Sequence, residues 1–199
     1  MSDSAAIDSL PAALHQAWAA LIEGAARRDS PFHQGVLASI NVDGPQARYV
    51  VLRSADAEHG LLAFHTDTRA PKCAEIAAEP RVSWCFFGDA LQVRCSGRAQ
   101  LHTEGAAVDA AWQHTTDFGR RGYHALQPPG TPLEQPGSGL PAELQQRLPS
   151  AAESELIRPR FARVEVRLDR IDWLHLGHRG HRRACFERSN GWAGCWLQP

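Results

Sequence analysis

A succession of short β-branched and aromatic runs, cut by turn residues, limits this chain's fold more than any other feature. Val36 to Asn41, Ala47 to Arg53, Leu61 to Thr66, Arg81 to Phe87 and Leu91 to Leu101 all have strand character. The pattern returns at Arg160 to Leu168, Ile171 to Leu176, His181 to Arg188 and Trp192 to Leu197. Asp43-Gly44 and Gly88-Asp89 supply turns, and Gly97 marks a bulge. Such runs with few helices predict a mainly β, α+β architecture: an antiparallel barrel or sandwich with helical additions.

The helical additions are legible too. Within residues 1–30, the spacing predicts a helix over 9–28. Ser9 is its N-cap and Pro11 lies in its first turn, and Leu10, Leu14, Ala17, Trp18, Leu21 and Ala25 form an apolar stripe. Residues 70–78 read as a short helix ended by Pro80, and Glu104 to Thr116 as another. Residues 127–141 hold five prolines and three glycines and read as an irregular loop. The strands of 160–199 would make a thin core alone, so they are expected to complete the same sheet. A chain of 199 residues suits a single domain spanning 1–199.

Charge and composition exclude several classes. The net charge of −1 provides no basic field for nucleic acid. No apolar run is long enough to cross a bilayer. Met1 to Leu10 carries Asp3 and Asp8 without a basic residue, unlike a secretory signal. Five cysteines, an odd number with no C-x-x-C pair, argue against a disulfide framework and for a reduced, cytoplasmic setting.

Nucleotide loops, nucleophile elbows and H-E-x-x-H are absent. His175, His178 and His181 recur at every third position, but Gly177 and Gly180 interleave them, and no metal site is expected. What remains is cationic. Lys72 is the only lysine among 21 Lys and Arg residues. It follows Thr66, Thr68 and Arg69 where a strand runs into a helix, and helix N-termini attract anions. Phosphate suits this mixture of hydroxyls, an Arg fork and a Lys point charge; ordinary surface charge at a solvated helix start is the other reading. Gln92, within an apolar strand, faces either water or a flat heterocycle. Strand alternation would put Arg179, His181 and Arg183 on one face, serving either an anion or a solvated edge.

In this order, the segments resemble the pyridoxamine 5′-phosphate oxidase-like family of FMN-binding split barrels, over about residues 35–103 and 160–199. The resemblance implies an antiparallel split β-barrel that binds FMN between two subunits of a homodimer. Arg48 to Arg53 is similar to the family's Arg-x-Val-Leu-Leu-Lys strand, with Arg48 on the FMN phosphate and Val50, Val51 and Leu52 along the flavin. His65-Thr66 matches its Tyr-Thr pair. Ala70-Pro71-Lys72 matches its Ser-Arg-Lys, with Lys72 as the phosphate lysine and Arg69 standing in for the arginine replaced by Pro71. Gln92 and Trp173 match its flavin-contacting Gln and C-terminal Trp. Arg179, His181 and Arg183 match its Arg-x-His-x-Arg, the first two serving the substrate and the last FMN.

The chain departs from the oxidase at the substrate grip. Arg53 replaces a lysine, and Trp112, Thr116 and Arg120 fall near the Tyr, Arg and Ser that hold the substrate phosphate. An R-x-P-K phosphate motif is similar to that of divergent bacterial and plant relatives. The resemblance implies oxidation of a small amine or alcohol by hydride transfer to the flavin, possible substrates including a vitamin B6 phosphate. A flavin storage or sensing protein, or a split barrel for haem or another ligand, are the alternatives.

Overall fold

A computed structural model describes residues 7–199. The acidic stretch read at Met1 to Leu10 therefore lies outside the described residues as far as Ala6. The elements in chain order are α1 (Leu10–Ala26), β1 (Gln34–Asn41), β2 (Gly44–Val51), β3 (Ser54–Asp56), β4 (Leu61–Asp67), α2 (Pro71–Ala78), β5 (Arg81–Gly88) and β6 (Leu91–His102). Then come α3 (Ala106–His114), α4 (Asp117–Arg121), α5 (Ala142–Gln146), α6 (Ala151–Ile157), β7 (Phe161–His175), β8 (Arg182–Glu187) and β9 (Gly194–Leu197).

The strands form one mostly consecutive antiparallel sheet in the order β2-β1-β5-β6-β7-β4-β3. The sheet forks at β7, whose first half pairs with β4 and whose second half pairs with β8, which in turn carries β9. Hydrogen bonding does not close the sheet. Even so, β2 at one end and β4 near the other contribute Val50, Leu52, Leu62 and Phe64 to one core. Trp84, Phe86, Val93, Val164, Ile171 and Trp173 fill that core, and α1 covers it with Ala13, Ala17, Trp18 and Leu21. This is the open, forked form of an antiparallel barrel with flanking helices, as expected from the strand pattern. Segments 161–168 and 171–175 belong to one 15-residue strand rather than two. Residues 127–141 contain neither helix nor strand.

Candidate functional site

The head of α2 gathers the first group of expected residues. Pro71 occupies the first turn of the helix, and among the described residues no side chain caps its N-terminus. Lys72 projects from that turn, and its Nζ donates to the buried Thr66 Oγ1 at 3.2 Å. Among the described residues Lys72 makes no ion pair. Burial pushes its pKa down, and the neighbouring Arg48 adds to that effect. An ammonium held half out of water without a carboxylate partner fits an incoming anion.

Arg48 lies beside it on the inward face of β2, opposite Leu37. Its guanidinium donates to Ser39 Oγ and, at 2.8 Å, to the buried Glu75 Oε2; Ser39 in turn donates to Glu75 at 2.5 Å. Arg48 is therefore fixed in place by a carboxylate, which Lys72 is not. Arg69 is differently engaged. It binds Asp67 through Nε at 3.0 Å and Nη2 at 2.7 Å, and its Nη1 donates to Ala125 O at 3.1 Å. Those bonds fasten the start of the Pro/Gly-rich segment to the turn before α2.

On the opposite face of the same strand ends lies a cleft of about 970 Å³ between the sheet, α1, α3 and α4. Val51, Arg53, His65 and Arg163 line its sheet side. Arg28, His33 and His114 add basic groups, while Ala110, Phe118 and Thr116 contribute to the helical wall. Among the described residues no carboxylate lines it. Arg163 is held by Glu165 at 3.0 Å and by Ser54. Arg53 has no ion pair among the described residues, and burial lowers its pKa. Burial, with the charges of Arg53 and Arg163, pushes His65 down to about 4, so its ring is neutral at neutral pH. Such a cleft suits an anionic small molecule. Of the three expected flavin-lining residues only Val51 faces it: Leu52 is fully buried and Val50 nearly so.

The C-terminal candidates lie elsewhere on the sheet. Gln92 pairs with Phe87 and Leu174, half-buried on the outward face. Beside it, the buried Asp172 accepts from Arg94 at 2.7 Å and from both Nε (3.1 Å) and Nη2 (2.9 Å) of Arg183. Burial works to raise the Asp172 pKa, but bonds from the two arginines outweigh it and hold it below its ordinary value. Trp173 is fully buried, and its Nε1 donates to Gln16 Oε1 at 2.8 Å. Arg179 and His181 are exposed on the β7–β8 connection, not on a strand, so alternation governs only Arg183. Neither residue lines the cleft of its own chain.

Sequence reasoning missed Arg163, Glu75 and Asp172. A buried acid directly opposite an arginine on a neighbouring strand is a signal that appears only once the register is known. Of the residues near the oxidase's substrate grip, Thr116 lines the cleft, whereas Trp112 is buried. Arg120 stacks on the Trp112 ring at 4.9 Å and donates to the carbonyls of Trp112 and Gln113.

Residues 15–103 match the family described as pyridoxamine 5′-phosphate oxidase, FMN-binding domain. The pyridoxine/pyridoxamine 5′-phosphate oxidase of Anaeromyxobacter dehalogenans (strain 2CP-C) is 31% identical over 189 residues, covering 90% of this chain and 91% of that one. Its namesake from Rubrobacter xylanophilus is 33% identical over 178 residues, covering 82% and 76%. Among solved structures, a pyridoxamine 5′-phosphate oxidase-related, FMN-binding protein from Nostoc punctiforme superposes with a TM-score of 0.67 at 22% identity, covering both chains fully. PhzG from Burkholderia lata 383, in complex with tetrahydrophenazine-1-carboxylic acid, gives 0.69 at 22% identity, covering 97% of this chain and 94% of that one.

Proposed function

This chain belongs to the pyridoxamine 5′-phosphate oxidase-like family of FMN-binding proteins, and from that premise we propose that it is an FMN-dependent oxidoreductase acting on a small anionic amine or alcohol. The observation carrying the proposal is the pairing of two cationic sites on opposite faces of the same strand ends. Inward, Lys72, Thr66 and Arg48 meet at the uncapped head of α2 and would hold the FMN phosphate. Outward, Arg53, Arg163 and the neutral His65 line a carboxylate-free cleft and would hold a substrate anion.

When bound, FMN supplies two-electron redox chemistry at its isoalloxazine ring. The chain's own residues orient and neutralise. Lys72 provides a point charge and Arg48 a fork already fixed by Glu75. Val51 and Gln92 would present an apolar edge and an in-plane amide to the ring. Arg183, held by Asp172, would set a positive charge near it. Arg53 would orient the substrate anion, and the neutral His65 would offer a hydrogen bond without adding charge. A second copy over the outward sheet face would bring Arg179 and His181 to the site.

Vitamin B6 phosphates belong to this substrate class, but Trp112 and Arg120 are turned to structural use, which favours a differently gripped anion. The same observation favours, as a second reading, a flavin-binding protein without B6 turnover. The test begins with the absorption spectrum of the purified protein and mass spectrometry of the released ligand. Lys72→Ala should weaken FMN binding by roughly 10- to 100-fold, the worth of one charge-assisted bond of about 1.5–3 kcal/mol. Unchanged affinity would remove Lys72 from the site. Peroxide release with pyridoxamine or pyridoxine phosphate would establish B6 turnover and overturn the second reading.

A further inference from the structure

We propose that Cys185 and Cys195 form a redox modification site, a cross-strand thiol pair that a hydroperoxide converts to a disulfide. The two residues lie directly opposite each other in the β8–β9 ladder, with their Sγ atoms 3.5 Å apart. Opposed residues of antiparallel strands have Cα atoms about 4.5–5.5 Å apart, inside the roughly 4.4–6.8 Å span of a disulfide. Closure therefore needs side-chain rotation rather than backbone movement.

The turn joining the two strands fixes this register. Gly191 and Trp192 both adopt left-handed conformations, with φ of 68° and 64°, and Trp192 N donates to Glu187 O at 2.9 Å. A slip of one residue would send one cysteine to the other face of the sheet.

The pair is also chemically asymmetric. Cys195 is exposed on β9, the outermost strand of this branch, so a peroxide in solution reaches it first, while Cys185, opposite it in the ladder, is only 7% exposed. The other cysteines are less suited. Cys95 is fully buried, and Cys73 is occupied by the Asp67 carbonyl. Cys85 stands opposite Val36 and Arg94 rather than another thiol. In the reaction, the Cys195 thiolate attacks a peroxide oxygen, breaking the O–O bond to give a sulfenic acid; the departing hydroxide, or alkoxide from an organic hydroperoxide, takes up the proton that the Cys195 thiol had released and leaves as water or an alcohol. The Cys185 sulfur then displaces the sulfenic oxygen, which leaves as water after taking up the Cys185 proton, and the S–S bond forms. Two thiols are oxidised, and the peroxide takes both electrons.

The disulfide would tie β9 to β8 beside Asp172, which stands opposite Cys185 on β7. This inference does not require bound flavin.

Its test uses the full chain as purified, treated with hydrogen peroxide, alkylated and digested with trypsin without reduction. Cleavage after Arg183 and Arg188 places Cys185 in 184–188 and Cys195 in 189–199. The expected result is a linked pair of these peptides, loss of two of the five free thiols, and recovery of both on reduction with dithiothreitol. Cys195→Ser should protect Cys185 as well, and Cys85→Ser should change nothing. Overoxidised Cys195 beside a still-alkylated Cys185, or a Cys195 linked to any other cysteine, overturns the proposal. The peptide map of the unsubstituted protein decides the matter even where a variant folds poorly.

Discussion

His65 packs against the Phe161 ring at 4.8 Å, between Arg53 and Arg163, and its pKa falls to about 4. In the unfolded chain the same ring titrates near 6.5. Between these values the unfolded state holds a proton that the folded state refuses, so folding stability falls as pH drops from about 6.5 towards 4 and is unaffected above that window. With partial solvent screening, the loss is on the order of 2 kcal/mol. Urea unfolding at pH 7 and pH 4.5 measures it, and His65→Gln should shrink the difference between the two. Equal losses in both proteins would show that another group carries the effect. The place of Lys72, a lone lysine at the head of a helix that follows a strand, is legible from its sequence neighbours, whereas His65 is picked out only by the resemblance. Leu52 and Trp173 show where such reading stops. Which face of a strand is buried depends on what packs on it, and here α1 takes Trp173 through Gln16.

Turns and bulges show the same limit one step up. Gly88-Asp89 reads as the β5–β6 turn, yet Gly88 still pairs with Leu91, and a Cβ there would strike Pro31 at 2.2 Å. The turn residues are instead Asp89 and Ala90, with φ of 50° and 61°, the signs a two-residue hairpin of primed type requires. Alanine is strained there, so Ala90→Gly should stabilise the protein by about 1 kcal/mol, read as a higher urea midpoint at unchanged slope. A lower midpoint would mean that glycine's greater freedom in the unfolded chain outweighs the relief. The bulge has a comparable history. Gly97 pairs with Leu168 and Ser96 with Arg170, so the extra residue is Asp169 on β7. That residue breaks the alternation of β7 and makes one long strand read as two. Gly97 leaves room for the close approach, since a Cβ on it would lie 2.1 Å from Arg167 O. Gly97→Ala should therefore cost 2 kcal/mol or more, roughly, through forced movement of paired backbone. A loss below about 0.5 kcal/mol, the range of an ordinary surface change, would mean that the strands separate freely there.

The outward face of the sheet is where the proposed second copy would sit. Tyr49, Val36 and Cys85 stand in one row across β2, β1 and β5, and Phe87, Gln92, Leu174 and Arg183 in another across β5 to β8. Tyr49 is 72% exposed and Phe87 58%, although both are large and belong to strands, Tyr49 to the edge strand β2 and Phe87 to the end of β5. A shallow cavity lined by Gln34, Val36, Tyr49, Cys85 and Phe87 shares Gln34, His33 and Arg28 with the cationic cleft, so the apolar face and the cleft are one continuous surface. Burying such rows against a second copy would cover apolar area, and a stable homodimer needs at least about 1,200 Å² in total. In the proposed site, Gln92 and Arg183, which do not line the cleft of their own chain, would come from that second copy. A charge in each row should therefore separate the copies and release FMN together. Tyr49→Glu with Phe87→Glu is expected to sediment as a monomer, keep the circular dichroism of the parent because both side chains lie outside the core, and lose its yellow colour on gel filtration. Sedimentation velocity with absorbance at both the protein and flavin bands reads the two outcomes in one run. A parent chain that sediments as a monomer while holding FMN would place the whole site within one copy, and a doubly substituted chain that stays dimeric would move the interface to another face.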